Sequence, residues 1–504
     1  MQLYNKLKKI ALSVMVIAMM GACTNDFEEL NTNPTLVTED LIQPDVLFTS
    51  VLKRSIFESY ENTGGRVGEF SQYYASQASG NLFTPSDYTS PFNWYRSYVI
   101  NLNEILRLTA DDPQKVDQHA MARIWKVWVF HIMTDAYGDI PYFESAMDVQ
   151  NVINQPVYDT QEMIYRDMLN ELKEAAAQLG SQQDQISFGN ADILYQGNVD
   201  SWKKFANSLR LRLAVRVRFA DAALAAEHIT DVISAPLIDE NSENASLKTL
   251  QPSATQNSDN TNFVYNRNLT NITPMFVGFA IADVMIPTDD PRMPVFLTPS
   301  QDSLRSYRAR PIQLAQEQKE PYGQEMVASV GPLLNAEIYE IIVMNAAEVY
   351  FLRAEAAFAN ITSEAAEELY LMGIQGSMEQ YDIAEPEVTE FLNQDIGTLS
   401  GTEEEQFEQI VTQKYIAMFF QGHQGWAEHR RTGYPKVWIG DEVGVVDNIP
   451  RRFTYPNDEY LKNEANVTEA AGRMGGDELD TKVWWDKRPG LPFAHPMQDV
   501  FPPN

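Results

Sequence analysis

Apolar side chains recur along this chain at steps of three and four residues. Trp125, Trp128, Ile132 and Ala136 form one such stripe. Trp202, Phe205, Leu209, Leu213 and Val217 form a second, behind Asp200, a residue suited to cap a helix start. Phe407, Val411, Tyr415, Met418 and Phe419 form a third, and the preceding Glu403, Glu404 and Glu405 suit the positive end of a helix dipole. The same periodicity predicts helices near 45–60, 66–79, 93–109, 160–179, 221–234, 345–360 and 363–381. Runs that alternate apolar and polar residues are few and short. The fold class expected is mainly α, with little β.

The predicted helices over 345–360 and 363–381 are joined by Asn360-Ile361-Thr362-Ser363, a linker short enough to force an antiparallel hairpin. Small residues alternate with large ones in the first helix, from Ala346 to Phe358, so a neighbour can approach closely. This is similar to a tetratricopeptide-like unit, although no strict 34-residue repeat is legible. Helix pairs stacked as a scaffold are expected, not a regular solenoid. Two segments break the helical pattern. Residues 236–330 are rich in Asn, Ser, Thr, Gln and Pro, and residues 433–504 in Gly, Pro, Trp and Tyr. Long loops on a rigid scaffold are where binding surfaces usually form. Because they interrupt the helical part, one composite domain over residues 23–504 is expected.

Composition narrows the functions. The 504 residues carry 38 Lys plus Arg against 70 Asp plus Glu, a formal charge of −32. That balance argues against non-specific nucleic-acid binding and against electrostatic docking on an anionic membrane leaflet. A single Cys excludes an internal disulfide. The first 22 residues read as an export signal: Lys6, Lys8 and Lys9 precede an apolar run from Ile10 to Met20, too short to span a bilayer. Met20-Gly21-Ala22-Cys23 resembles a bacterial lipobox, with Met20 where Leu is usual. The resemblance implies a thioether from Cys23 to diacylglycerol, cleavage before Cys23 and further acylation. The acids Asp26, Glu28 and Glu29 just beyond it are similar to those that mark lipoproteins for the outer face of the outer membrane.

Motifs for covalent chemistry are missing. There is no phosphate-binding Gly loop, no dinucleotide fingerprint, no zinc-protease motif and no Gly-x-Ser-x-Gly. His131 and Asp135 lie four apart on one helix, and His423 and His429 flank Trp426; satisfied core histidines account for both patterns. Asp289-Asp290-Pro291-Arg292 offers carboxylates for a structural Ca²⁺, but the EF-hand pattern is absent and a capped turn suits it better. With 70 acids, paired carboxylates for glycoside hydrolysis can be drawn anywhere and carry no weight. A non-enzymatic protein without a cofactor is expected.

Several stretches, in order, carry a resemblance. They are Phe27 to Pro34, Thr134-Asp135-Ala136-Tyr137-Gly138-Asp139-Ile140-Pro141-Tyr142, Asn207 to Arg212, Asp290-Pro291-Arg292-Met293, Ala347 to Glu355, Gln413 to Pro435, Arg451 to Pro456, and Trp484-Trp485-Asp486. Together they resemble the SusD/RagB family of outer-membrane nutrient-binding lipoproteins, in its second, SusD-like branch. The resemblance implies a surface protein acting as a hinged lid on a SusC-type TonB-dependent transporter, handing it glycan or peptide fragments. It also implies four tetratricopeptide-like helix pairs facing the transporter and a loop-built ligand face. Arg210 and Arg212 are expected to pair with Glu348, Glu355 or Glu428, as determinants of the fold.

Glycan capture needs exposed rings, because sugar C–H faces pack on π surfaces. In the family's starch-binding prototype the aromatic arc lies partly in a loop after an early helix. The corresponding stretch, Gly68 to Asn103, holds Tyr73, Tyr74, Phe83, Tyr88, Trp94 and Tyr95, with Asn81 and Asn101 as hydroxyl partners. The competing reading puts Tyr73 and Trp94 in the core. Trp438, Tyr455, Trp484 and Trp485 form a second group, for which a core role is favoured. Three functions remain open: a glycan binder, a binder of peptides or another polymer, and, remotely, a lipoprotein hydrolase.

Overall fold

Helix boundaries fall where local chemistry puts them. A computed structural model describes residues 43–502, apart from 77–82, 85, 87, 146–152, 183, 253–259 and 271–274; Cys23 and Asn81 lie outside the described residues. The α-helices of six residues or more are α1 (Pro44–Thr63), α2 (Arg66–Ser71), α3 (Ile100–Thr109), α4 (Val116–Tyr137), α5 (Gln161–Gln178), α6 (Val199–Arg216) and α7 (Ala222–Val232). After them come α8 (Phe263–Thr270), α9 (Phe279–Met285), α10 (Ala346–Phe358), α11 (Ala366–Gln380), α12 (Glu385–Leu392), α13 (Glu403–Ala417), α14 (Gly422–Thr432), α15 (Asn457–Lys462) and α16 (Glu464–Met474). The chain is mainly α with little β, as its periodicity predicts.

Two details differ from the sequence reading. The cap of α6 is Asn198, whose side chain accepts the Ser201 N–H at 3.0 Å, and Asp200 lies inside the first turn. The helix expected over 66–79 stops at Ser71. Gln72 turns left-handed, with φ 63°, and the chain enters a two-residue strand. A side chain at Gly68 would collide with the Thr63 carbonyl, so α1 and α2 meet in a bend too tight for anything but Gly. By contrast α13 starts as expected: Thr402 and Glu405 form a reciprocal capping box.

Consecutive helices pack pairwise. The series α1, α3, α4, α5, α6, α7 stacks in order; α10 returns onto α6 and packs with α11 and α13; and α14 packs on α2 and α1, joining the last part of the scaffold to the first. The hairpin of α10 and α11 is closed by Asn360 in a left-handed conformation, φ 57°. Its close approach depends on Gly373, where a Cβ would lie 2.7 Å from the Phe351 ring.

The interior holds many charges. Arg212 pairs bidentately with Glu348 at 2.6 Å, one of the pairings the sequence suggests. Arg210 instead reaches Asp231 and His228. Glu355 and Glu428 belong to Arg431, which binds both at 2.6–2.7 Å, with Lys414, Arg218 and Arg216 beside them. Burial alone would push both acids up, yet the cations, Arg431 foremost, hold both carboxyls below the usual range. Asp135 takes hydrogen bonds from Tyr165, Arg216 and the Trp485 indole. His131 meets the Gln424 amide at 2.9 Å, so His131 and Asp135 serve different partners. Arg430 lies between the rings of Trp426 and Trp485 and donates to the carbonyls of Asp135 and Arg451. Asp290 gives both carboxylate oxygens to Arg292, which makes its segment a capped turn. Most of the recurring motifs therefore knit the scaffold together.

Strands are short. β1 (Tyr74–Ala75), β3 (Phe276–Val277), β5 (Ser329–Val330) and β4 (Leu297–Thr298) form one antiparallel sheet in the order β1-β3-β5-β4; β2 (Ala245–Lys248) and β6 (Glu340–Met344) form another. Single parallel bridges carry the first sheet onward: Gly278 to Arg310, Ile312 to Ile439, and Val437 to Ala494. This braid brings the early loop and both loop-rich segments onto one face.

Candidate functional site

Where those segments meet there is an open cleft of about 410 Å³. Its floor is apolar: Phe83, Val437, Ile439, Val446 and a half-buried Phe493. Its wall is the loop Gly440 to Asn448, which brings Asp441, Glu442, Asp447 and Asn448 to the rim, with Gln498 opposite.

Each part of that wall is anchored. The Gln498 amide pairs reciprocally with the Ile439 backbone, accepting its N–H at 3.2 Å and donating to its carbonyl at 2.7 Å. Gly440 N–H donates to Ile312, and Glu442 N–H to Gln313, whose side chain returns a bond to the Glu442 carbonyl. Gln313 is fully buried in a left-handed conformation, φ 53°, which turns its side chain toward the wall. The buried Gln318 amide donates to Asp441 Oδ2 at 2.8 Å while its oxygen accepts the Asp441 and Ala315 N–H groups. Val445 N–H closes the series on the Phe83 carbonyl at 2.9 Å. A wall held this way loses little freedom when a ligand arrives. Its tips stay free: Val443 is 86% and Val445 62% exposed.

Among the described residues, four of the six rings of the predicted aromatic platform are buried. Tyr73 is fully buried, stacked on Tyr415 at 4.6 Å with its hydroxyl on the Tyr415 carbonyl. Tyr74 is buried in β1 against Arg267, and Trp94 is fully buried between Trp128 and Tyr98. Phe83 is buried too, although its backbone carries the cleft wall. The physical reason is size: large rings fill the core wherever scaffold helices cover them, Tyr73 under α13 and α14 and Trp94 against α4. Tyr88 remains half-exposed, stacked on Phe453 at 4.7 Å, with the Arg66 guanidinium 5.5 Å from its ring centre. Tyr95 is tied to the Pro141 carbonyl. In the second group Trp438, Tyr455 and Trp485 are buried and Trp484 is half-exposed, as the core reading has it.

Glu69 lies behind this face, buried, with its carboxylate accepting the Ser76 N–H at 3.0 Å. Burial pushes its carboxyl up to about 7, against the pull of that bond and of Arg66, Arg310 and Arg267. His423 and His429 are buried and neutral, each pushed down to about 3 by desolvation and then by neighbouring arginines. Among the described residues no group of three or more His, Cys, Asp or Glu is placed to hold a metal ion. No described helix is long and apolar enough to cross a membrane.

The family profile described as starch-binding, associating with the outer membrane, SusD-like in its second form, matches residues 35–456. The chain belongs to this family. Solved structures agree with the assignment. A chitin-binding protein is 26% identical, with a TM-score of 0.77 over 88% of this chain and 100% of its own. A SusD homolog from Bacteroides uniformis is 27% identical, with a TM-score of 0.72 over 88% of this chain and 99% of its own. A chitin-binding SusD homolog from Flavobacterium johnsoniae is 25% identical, with a TM-score of 0.74 over 88% and 97%. No curated protein matches the sequence. A SusD-like chain belongs to a family of outer-membrane-associated carbohydrate-binding proteins. The cleft wall, which the sequence reading missed, lies within the stretch the family profile covers.

Proposed function

We propose that this protein is a lipid-anchored, outward-facing glycan-binding protein that passes oligosaccharides to a SusC-type TonB-dependent transporter. The observation that carries the reading is the cleft where three loop-rich segments converge on a SusD-like scaffold. The lipobox-like Met20 to Cys23 supports the anchor, with Cys23 as the acylated residue. The family description and the chitin-binding neighbours support glycan as the ligand class. The motifs' use in packing leaves no assembled catalytic group among the described residues, and capture without turnover, resident cofactor or metal is the role proposed.

The test is co-purification from detergent-solubilised outer membrane with a C-terminal tag, alongside a mixed array of glycans and oligopeptides. A large β-barrel partner, radiolabelled palmitate on wild type but not Cys23→Ala, and saturable glycan binding are expected. Binding of peptides alone overturns the ligand class; acylation without a barrel partner overturns the delivery step.

A further inference from the structure

Arg308 is a deep arginine without a carboxylate. It is 8% exposed, and its guanidinium lies 5.7 Å from the centre of the Tyr322 ring. Nη1 donates to the Pro321 carbonyl at 2.9 Å. Nε is enclosed and has no partner, and Nη2 donates to nothing among the described residues. Asp302 is the nearby acid, but its Oδ1 takes the Leu304 N–H, and it forms no ion pair with Arg308. Burial first, and then the exposed Arg305, hold the Arg308 guanidinium below the ordinary arginine range. Arg310, the third base of the segment, is spent on the carbonyls of Ser76 and Tyr322 and has Glu69 beside it. A buried charge without a counter-charge is costly. The chain has 70 acids, yet none is placed to answer Arg308.

The edge left over is the one that grips carboxylates elsewhere in this protein. Arg107, Arg123, Arg212 and Arg292 each hold a carboxylate with Nε and Nη2 together. Two parallel N–H groups match the two oxygens of a carboxylate in direction and spacing. Tyr322 ties this edge to an exposed ring. Phe501 is 43% exposed, and its ring lies 6.3 Å from that of Tyr322 and 6.1 Å from that of Trp438. Trp438 stands between Val437 and Ile439 of the cleft floor, and Phe501 follows three residues after Gln498 of the rim. A sugar ring can pack its C–H face on such a ring. The cleft rim itself carries Asp441 and Glu442, so an acid on a ligand is repelled there and drawn toward Arg308.

Resting on the glycan function proposed above, we infer that Arg308 and Arg305 form a carboxylate subsite beside the cleft, for oligosaccharides with a neutral backbone and a uronic acid. Nε and Nη2 of Arg308 meet the two carboxylate oxygens, Arg305 adds charge from the surface, and the sugar that bears the acid lies on Phe501.

The experiment uses the detergent-solubilised full-length protein and matched pairs of oligosaccharides. Xylose, galactose and mannose oligomers bearing one glucuronic acid are compared with the same molecules after reduction of that carboxyl to the alcohol. The pairs are screened on the array, and those that bind are titrated by calorimetry. The acidic member is expected to bind about tenfold more tightly, as a two-bond pairing of charged groups implies. Arg308→Lys keeps the charge and loses the paired edge, and it should lose most of that preference. Arg305→Gln, a change at the surface, should lower the preference about threefold without moving the unfolding midpoint. Where Arg308→Lys fails to fold, Arg305→Gln decides alone. Equal binding of the two members, or a preference that either folded variant leaves untouched, overturns the inference and leaves the glycan reading standing. Acetate supplies the same group without a sugar and should compete only weakly. Acetate that matches the acidic oligosaccharide in affinity assigns the site to small free carboxylates and overturns the inference too. If no glycan on the array binds, the parent reading falls, and this one with it.

Discussion

Glu355 and Asp441 are both carboxylates held at fixed positions, and they teach opposite lessons. Glu355 is fully buried and receives Arg431 through two bonds, with Lys414 and Arg218 beside it. Its charge is consumed within the scaffold. Asp441 is exposed, receives a neutral amide, and has no ion-pair partner among the described residues. The interior uses charge to fix how α6, α10, α13 and α14 fit together; the cleft keeps charge in reserve. The difference lies in the partners, not in the residue type.

The largest expected effect tests the first half of that contrast. Glu355→Gln leaves three cations short of a carboxylate in a dry interior and should cost about 3–5 kcal/mol in denaturant unfolding. A loss no larger than that of a surface substitution would mean the interior tolerates unpaired cations, and the contrast would collapse.

Acid should attack the same region. His423 and His429 sit at about 3 in the fold, against 6.5 when exposed, so between those values the unfolded chain takes up protons that the folded chain does not. Stability should therefore fall as pH drops from 6.5 toward 3. Glu355 and Glu428, with carboxyls held down, add to the loss below 4.5, the ordinary value of an exposed glutamate. Glu69 runs the other way: at about 7 in the fold against 4.5, its contribution is full at low pH and fades as pH rises through 7. Unfolding midpoints measured from pH 7 down to pH 4 would contradict this ordering if they stayed level.

A smaller effect belongs to packing alone. Gly373→Ala drives a methyl into the Phe351 ring and should cost about 1–3 kcal/mol by forcing α10 and α11 apart. An unchanged thermal midpoint would show that the hairpin can spread. The smallest effect belongs to the cleft. The Asp441→Asn, Glu442→Gln, Asp447→Asn variant should change unfolding free energy by no more than about 0.5 kcal/mol, because Glu442 and Asp447 only line the rim and Asp441→Asn keeps an oxygen that can accept the buried Gln318 amide. A larger loss would place them in the scaffold and erase the distinction between the two regions.

The scaffold was legible because its signals are local. The stripes through Trp202 and Phe407 obey helical spacing whatever packs on them, and the hairpin at Asn360 needs only a short linker. The α2 segment misled because its end is set by a strand partner, Phe276–Val277, some two hundred residues away. Asp200 misled because Asn198, two residues earlier, is as good a cap. The aromatic cluster over residues 73–95 misled for a deeper reason. Rings written close together look the same whether they face water or fill a core, and only the packing of α14 across α2 decides. The cleft wall was hidden because its anchors, Gln313, Gln318 and Gln498, are glutamines that belong to no motif. One trace of it was present: the lack of any Lys or Arg from 437 to 450.

The anchoring of the wall also bears on how such proteins diversify. Its fixings are backbone groups and three glutamine amides that lie outside it, so the residues at its tips carry none of the scaffold's stability. The exchangeable positions are thus the exposed tips Val443 and Val445; Gly440 and Gly444, where a Cβ would lie 2.2 Å from the Gln313 carbonyl oxygen and 2.6 Å from the Phe83 Cβ, and Asp441, which accepts the Gln318 amide, are held to their present residues.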